Sequence, residues 1–411
     1  MKGHVTRSPE PRTVVIEERG ETRLSLTQSQ AAELQSLGFC SVLPGQNAGE
    51  WRVRDVSKVG IASIEGLRFI VRPKTPLRSI VFMASYSGEQ IQPAHSTFGY
   101  DADTSVPFAL ARATISAIES ATRKGLVKGY TAREERGFVV RGRWDIPRQL
   151  KVRPGVPIPL ELTVDDYSED VAENQILHSA LQRIRRFEQL AEDEKRRLNR
   201  LLQLFSDVGT LRQGAALPAV QRTRLNADYW PALPLARVIL EATSWTRSAG
   251  ARSGGTFLLN LPRIFEGFVG TAMRAALASA GFGVELQDTE WRLDAERKVM
   301  LRPDIVVRSH GRPVAVADTK YKVWGQANGS PPNADVYQAL AYALALEVPE
   351  AHLFYVSGDV EPRTYRIPTA GKTVVAHAIS LEGSPEVLLR RVAVLAERVT
   401  GGSHGVGDSV A

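Results

Sequence analysis

LRPDIVVRSHGRPVAVADTKYK, Leu301–Lys322, is the stretch on which the reading of this chain turns. Its two apolar, branched runs predict strands over Arg302–Arg308 and Pro313–Tyr321, joined as a hairpin through His310–Gly311–Arg312. Side chains alternate along a strand, so Val314, Val316, Asp318 and Lys320 are expected on one face. Two apolar residues at the start of that face would bury against a helix, and two charges would project from its end. Asp304 directly follows Pro303, a residue confined to the first positions or the edge of a strand. In a hairpin the start of one strand lies beside the end of the other, which brings Asp304 to Asp318.

Working outward, Pro262–Ala280 has helical spacing, with Pro262 in its first turn and Gly281 after it. Gly283–Gln287 and His352–Ser357 predict strands, and Asn333–Leu346 a helix with Asn333 as N-cap. The element order is therefore αβββαβ, with its core over about residues 257–360. On the first helix Glu266 shares a largely apolar face with Val269, Gly270 and Met273, where a carboxylate is costly unless paired or on a metal. Gln338 and Tyr342 lie one turn apart on the later helix and can face the same centre.

Carboxylates that converge repel one another, and a hard cation taking oxygen ligands relieves this. Asp304, Asp318 and Glu266 are thus the candidate metal ligands, for Mg²⁺ with Mn²⁺ as a substitute. Lys320 would orient the attacking water and stabilise developing phosphoryl charge, with Gln338 assisting, as phosphodiester hydrolysis requires. Each residue has a plainer rival. An isolated Asp-Thr-Lys is mostly an exposed strand end, Glu266 could pair with an arginine, and Gln338 and Tyr342 could merely pack. His178 and His310 have no metal-ligand spacing; Trp291 and Trp324 pack, or stack on a base.

Upstream, Thr13–Glu18, Trp51–Val56, Gly60–Ile64 and Leu67–Arg72 predict a small β-rich unit, with helices at Gln28–Leu37 and Pro107–Arg123. Pro147, Pro154, Pro157 and Pro159 interrupt any helix there and suggest a boundary near Leu160–Asp166. Helices follow at Val171–Phe187, Ala191–Phe205 and Leu233–Ser244, then a Gly-containing loop at Arg252–Gly255. Lys195, Arg196, Arg197 and Arg200 form a basic stripe, either a solvated face or a contact for phosphate or a partner. The expected architecture is a multidomain α+β and α/β chain. A β-rich domain at 1–165 precedes a helical linker region and the αβββαβ core within 166–411, and Met1–Pro11 and Gly401–Ala411 are expected to fray.

The 411 residues carry a net charge of +7, which suits an anionic partner without dictating a fold. The single cysteine, Cys40, excludes an intrachain disulfide and a cysteine-rich metal cluster. Neither a secretory h-region nor a membrane-spanning run is visible, so the chain reads as cytoplasmic with no membrane role. The phosphate-binding pattern G-x-x-x-x-G-K-[ST] does not occur, so hydrolysis of a nucleoside triphosphate must come from elsewhere.

Leu301–Lys322 resembles the PD-(D/E)xK nuclease signature in the form used by the McrC family. ENQILHSAL (Glu173–Leu181), YWPALPLARVIL (Tyr229–Leu240), FLLNLPRIFEGFV (Phe257–Val269) and DVYQALAYA (Asp335–Ala343) are also similar to family blocks. VGIASIEGLRFIVRPK (Val59–Lys74) and GLVKGY (Gly125–Tyr130) resemble its N-terminal region more weakly. The resemblance implies a restriction-endonuclease-like core and a DNA endonuclease subunit of a modification-dependent restriction system. It places the motif aspartates on Asp304 and Asp318 and the motif lysine on Lys320. It also implies docking through the N-terminal domain onto a hexameric AAA+ GTPase, McrB, whose hydrolysis the subunit stimulates and which recognises modified cytosine in DNA. Arg68, Arg72, Lys74 and Arg78 are candidates for that contact because they cluster in the N-terminal unit. The competing readings are a stand-alone repair or defence nuclease and a non-catalytic adaptor that activates an AAA+ motor.

Overall fold

The computed structural model describes residues 11–86, 105–155, 158–187, 190–244, 256–322, 332–356 and 360–401. The Arg252–Gly255 loop, Trp324 and nearly all of the two chain ends expected to fray lie outside these. The protein is a mixed α/β chain of two compact units, Met1–Ala109 with Ser244–Ala411, and Leu110–Thr243. Among the described residues no helix is long and apolar enough to cross a membrane.

The first unit begins with β1 (Arg12–Glu17), β2 (Thr22–Ser25), α1 (Gln28–Ser36), β3 (Ser41–Pro44) and β4 (Glu50–Arg54). It continues with β5 (Val59–Ile64), β6 (Leu67–Arg72) and α2 (Leu77–Ser85). Thr27 and Gln30 exchange hydrogen bonds at the start of α1, a capping box that satisfies two orphan N–H groups. Strands β2, β4 and β3 form a small antiparallel sheet. β1 runs parallel to β6, and β6 pairs antiparallel with β5.

The chain then enters the second unit through α3 (Val106–Ala121). There follow β7 (Gly129–Gly137), β8 (Arg143–Trp144), α4 (Ile146–Val152), β9 (Leu160–Ser168), α5 (Ala172–Ile184), α6 (Glu192–Leu204), α7 (Ala232–Ala242) and the two-residue β10 (Thr243–Ser244). β7 and β9 pair along their full length, from Gly129↔Ser168 to Gly137↔Leu160. That ladder corrects the expected boundary at Leu160–Asp166, which falls within β9 in the middle of a unit. Pro147, Pro154 and Pro159 punctuate a connection inside one sheet and do not separate domains, and Pro157 lies outside the described residues. Within the ladder the buried Glu161 pairs with Arg136 at 2.8 Å and Arg148 at 3.3 Å.

The first unit resumes with β11 (Thr256–Leu259), α8 (Leu261–Ala278), β12 (Gly283–Leu286), β13 (Ile305–Ser309) and β14 (Arg312–Lys320). It ends with α9 (Asn333–Ala345), β15 (Glu350–Val356), β16 (Arg363–Ile367), β17 (Lys372–Ile379) and α10 (Pro385–Gly401). β11 pairs antiparallel with β5, so a strand just ahead of α8 joins the N-terminal sheet. The expected separate N-terminal domain is therefore corrected too: its strands and the later αβββαβ run share one compact unit. Gly60 permits the pairing, since with φ at +130° a Cβ there would stand 2.2 Å from the Phe257 carbonyl oxygen.

The main sheet has the order β12-β13-β14-β15-β17-β16. β12, β13 and β14 are antiparallel, whereas β14, β15 and β17 are parallel. The β13–β14 turn is His310–Gly311, both at positive φ, the backbone twist that suits a two-residue hairpin. One face of the sheet packs on α8, α10 and α2, with Phe82 and Met83 of α2 in the same core as Phe265 and Met273. The other face packs on α9 through Val316, Leu353 and Ala343. Two local expectations change. Asn333 is the first residue of α9, with Pro332 in the cap position and no side-chain cap. Val314 joins the α8 side while Val316 joins the α9 side, because the register shifts at Val307/Arg308 and turns the start of β14 over.

Candidate active site

The hairpin register places Ile305 opposite Ala317, so Asp304 and Asp318 come side by side just beyond the paired residues. Asp304 Oδ2 accepts hydrogen bonds from the Thr319 N–H and hydroxyl, each at 2.7 Å. Asp318 is buried, and its Oδ2 pairs directly with the Lys320 ammonium. Alternation along β14 turns Asp318 and Lys320 toward α9. There Lys320 Nζ donates to Gln338 Oε1 at 2.8 Å, Gln338 Nε2 donates to the Tyr342 hydroxyl at 2.8 Å, and that hydroxyl donates to the Arg302 carbonyl at 3.2 Å. Gln338 and Tyr342 thus belong to one chain of hydrogen bonds that ends on Lys320.

Glu266 approaches from α8. Burial, the neighbouring Asp304 charge, a side-chain hydrogen bond with Asp304 and the Asp318 charge together hold its carboxyl well above the usual range. Burial, followed by the charge of Asp304, raises Asp318 in the same direction, with Lys320 opposing. Among the described residues the buried Glu266 Oε1 meets no hydrogen-bond donor. The five candidate residues Glu266, Asp304, Asp318, Lys320 and Gln338 are therefore brought together.

Two further residues, Thr319 and Asp335, join the site without having been among the candidates. Thr319 holds Asp304. Asp335, in the first turn of α9, accepts from the Tyr355 hydroxyl at 2.5 Å and pairs with Lys322 at 2.7 Å, and its charge adds to the repulsion on Asp318. The D-T-K spacing hints at Thr319, because the residue between two inward-pointing charges still offers its N–H to a neighbouring strand.

The donors around the centre are carboxylate oxygens with a lysine beside them, a set that matches a hard divalent cation. A buried carboxylate oxygen without a donor fits such an ion too. Among the described residues no three His, Cys, Asp or Glu side chains already stand in a ligating arrangement. Asp304 Oδ2 accepts from Thr319, and Asp318 Oδ2 pairs with Lys320.

The remaining candidates lie elsewhere. His178 bonds to the Val208 carbonyl at 2.7 Å and stacks on Phe205, and His310 is exposed in the hairpin turn. Trp291 donates to Asp288 and lies beneath Arg308. In the α6 stripe Arg197 is committed to Glu119 and Ser116, and Lys195 to Glu192, whereas Arg196 and Arg200 are exposed. Arg72, Lys74 and Arg78 are exposed and Arg68 half-buried.

A family model described as McrBC 5-methylcytosine restriction system component matches residues 53–356. The chain belongs to this McrBC family. The matched span contains Glu266, Asp304, Asp318, Lys320 and Gln338. No curated protein matches the McrBC-family chain. Its fold is similar to a chain in the refined half-complex from the tetradecameric assembly of Thermococcus gammatolerans McrB AAA+ hexamers with bound McrC. That likeness has 15% identity and a TM-score of 0.54 over 93% of this chain and 100% of the other. The cryo-EM structure of the Thermococcus gammatolerans McrBC complex matches at 16% identity over 64% of this chain and 88% of that one, with a TM-score of 0.37 too low to argue from.

Proposed function

We propose that this McrBC-family chain is a cytoplasmic, Mg²⁺-dependent DNA endonuclease subunit with a PD-(D/E)xK core, which cuts modified-cytosine DNA when an AAA+ GTPase partner engages it. The observation that carries the reading is the meeting of Asp304 and Asp318 at the open end of the β13–β14 hairpin, with Lys320 in contact and Glu266 crowding both carboxylates. Asp304, Asp318 and Glu266 would hold the ion. Once bound, Mg²⁺ or Mn²⁺ supplies positive charge to the scissile phosphate and lowers the pKa of a water molecule.

The chain's own side chains do the rest. Thr319 holds Asp304 in place. Lys320, steered by Gln338, presents its ammonium where negative charge grows on the phosphate and orients the attacking water. Tyr342 keeps Gln338 in the rotamer that faces the lysine.

The partner contact is supported by the far end of the β7–β9 ladder. Phe138, Val139 and Val140 lie just past it and are 77%, 75% and 60% exposed, with Arg141 and Arg143 beside them. An apolar tip with a basic flank suits a groove on a protein partner. We take that partner to be an AAA+ hexamer, as in the assembly that contains the chain of similar fold.

The test is a plasmid-cutting assay with the full chain, its AAA+ partner, GTP and Mg²⁺ on DNA carrying modified cytosine. Asp304→Ala should abolish cutting and leave stimulation of GTP hydrolysis intact. Cutting by Asp304→Ala at the wild-type rate would remove this site from consideration, and robust cutting by the chain without any partner would refute the dependence on an AAA+ motor.

A further inference from the structure

The last residues of β14 outrun β13. Pairing between those strands starts at Ile305↔Ala317, while β14 continues against β15 as far as Lys320↔Tyr355. Asp318–Lys320 therefore hang from one ladder, and side chains finish the other edge. Asp304 takes the Thr319 N–H. Immediately afterwards the Lys322 N–H donates to the Lys320 carbonyl at 2.8 Å, closing a three-residue turn with Tyr321 at its apex.

That apex is gripped from the N-terminal sheet. The Arg19 guanidinium donates to the Tyr321 carbonyl and lies over the Tyr321 ring, 5.7 Å from its centroid. The Tyr321 hydroxyl is 2.6 Å from Thr75 Oγ1, and its ring rests on Phe265 of α8. Arg19 follows β1 and Thr75 follows β6, so two ends of one sheet converge on the residue next to Lys320. Arg19 is itself fixed: its N–H bonds to the Val56 carbonyl at 3.0 Å, that of Glu18 to the Arg72 carbonyl at 2.8 Å, and its φ is +58°. A non-glycine residue persists there only when its surroundings over-determine it.

We propose that Arg19, with Thr75 behind it, is a positioning residue for Lys320. By fixing the Tyr321 peptide and ring it sets where the lysine ammonium stands against Asp318 and Gln338. The inference rests on the nuclease reading of Asp304, Asp318 and Lys320. Arg19 touches none of the reacting groups, so its effect passes entirely through the backbone of Lys320–Lys322. The Lys322–Asp335 ion pair at 2.7 Å remains when Arg19 is removed, so the segment stays docked with its lysine less well aimed.

The experiment compares wild type, Arg19→Ala, Arg19→Lys and Thr75→Val as full chains with the AAA+ partner on the plasmid substrate, together with amide hydrogen exchange over residues 319–322. Misplacement of a catalytic group by about 1 Å costs up to about 100-fold, so Arg19→Ala should lower kcat by roughly 10- to 100-fold. KM for DNA, Tm and stimulated GTP hydrolysis should be unchanged, and exchange at 319–322 should quicken. Arg19→Lys, which can still donate to the carbonyl and cover the ring, should recover most of the rate; Thr75→Val should show a smaller loss. An Arg19→Ala chain with wild-type kcat overturns the proposal, as does loss of GTPase stimulation, which would mean that Arg19 acts through the partner. A fall in kcat that tracks Tm and is not rescued by lysine also overturns it. A wild-type chain that never cuts strikes the nuclease reading itself.

Discussion

Lys320 meets two groups of opposite kind, a buried carboxylate and a neutral amide oxygen. The carboxylate fixes its charge and the amide its direction, so the ammonium is prepared before any phosphate arrives. Such preorganised charge acts on the transition state more than on the bound substrate. Lys320→Ala should therefore lower turnover by roughly 10²- to 10³-fold while leaving the Kd for DNA nearly unchanged. Parallel losses in a binding titration and a single-turnover assay would contradict that role. Asp304, Asp318 and Lys320 were legible in the sequence because strand alternation and one hairpin suffice to unite them. Thr319, Asp335 and Arg19 were not, since each acts through a partner, Asp304, Tyr355 or Tyr321, that only the tertiary fold brings near.

A second buried pair at this scale has a pH signature. His352 Nδ1 lies 3.1 Å from His377 Nε2, and the outer nitrogen of each ring has no hydrogen-bond partner among the described residues. Burial, then the neighbouring imidazole, lowers His352 to about 3; burial, then Arg398, lowers His377 to about 4. Both are neutral when folded, while the unfolded chain takes up protons below the ordinary value of 6.5. Stability is full above that pH and falls as pH drops toward 4, by about 1.4 kcal/mol per pH unit for each ring. Denaturant midpoints measured between pH 7 and pH 5 should fall less steeply in His352→Phe than in wild type. Equal slopes would show that the pair does not titrate in this way.

Among the elements, α8 and α9 follow the sequence pattern closely because each turns an apolar face to one core, and β13 and β14 follow it because their apolar runs fill the cores on both faces of the sheet. β7 and β9 escaped it: TAREERG is charged nearly throughout, and its strand character comes from pairing with β9 and not from a buried face. α2 and the run from β16 to α10 also lay beyond the pattern that was read. The element-scale joint most open to test is β5–β11. A methyl at Gly60 would collide with the Phe257 backbone in a conformation that side-chain-bearing residues seldom adopt. Gly60→Ala should cost about 2–3 kcal/mol, read as a lower Tm. A wild-type Tm would mean that β11 is held by something other than this close approach.

For the molecule as a whole, the main error of sequence reading was to cut the chain into consecutive pieces. The first unit is discontinuous, with residues 110–243 set between its parts, and no composition shift marks β5 and β11 as partners. The expected division of labour can still be tested at this scale. Phe138→Asp with Val139→Asp should weaken binding to the AAA+ partner at least tenfold, since exposed apolar anchors are costly to replace by charge at an interface. Their own fold should be undisturbed, because these side chains lie in solvent. Undiminished complex formation in gel filtration would move the docking surface elsewhere.

The β5–β11 pairing also orders events during synthesis. Thr256 leaves the ribosome about 190 residues after Ile64, an interval of roughly 10–40 s at the usual pace of translation. Throughout that wait one edge of β5 is bare, with its N–H and C=O groups open to any strand that passes. The nascent N-terminal sheet thus depends on β11 for completion, and a ribosome stalled before that strand emerges holds an open template for aggregation.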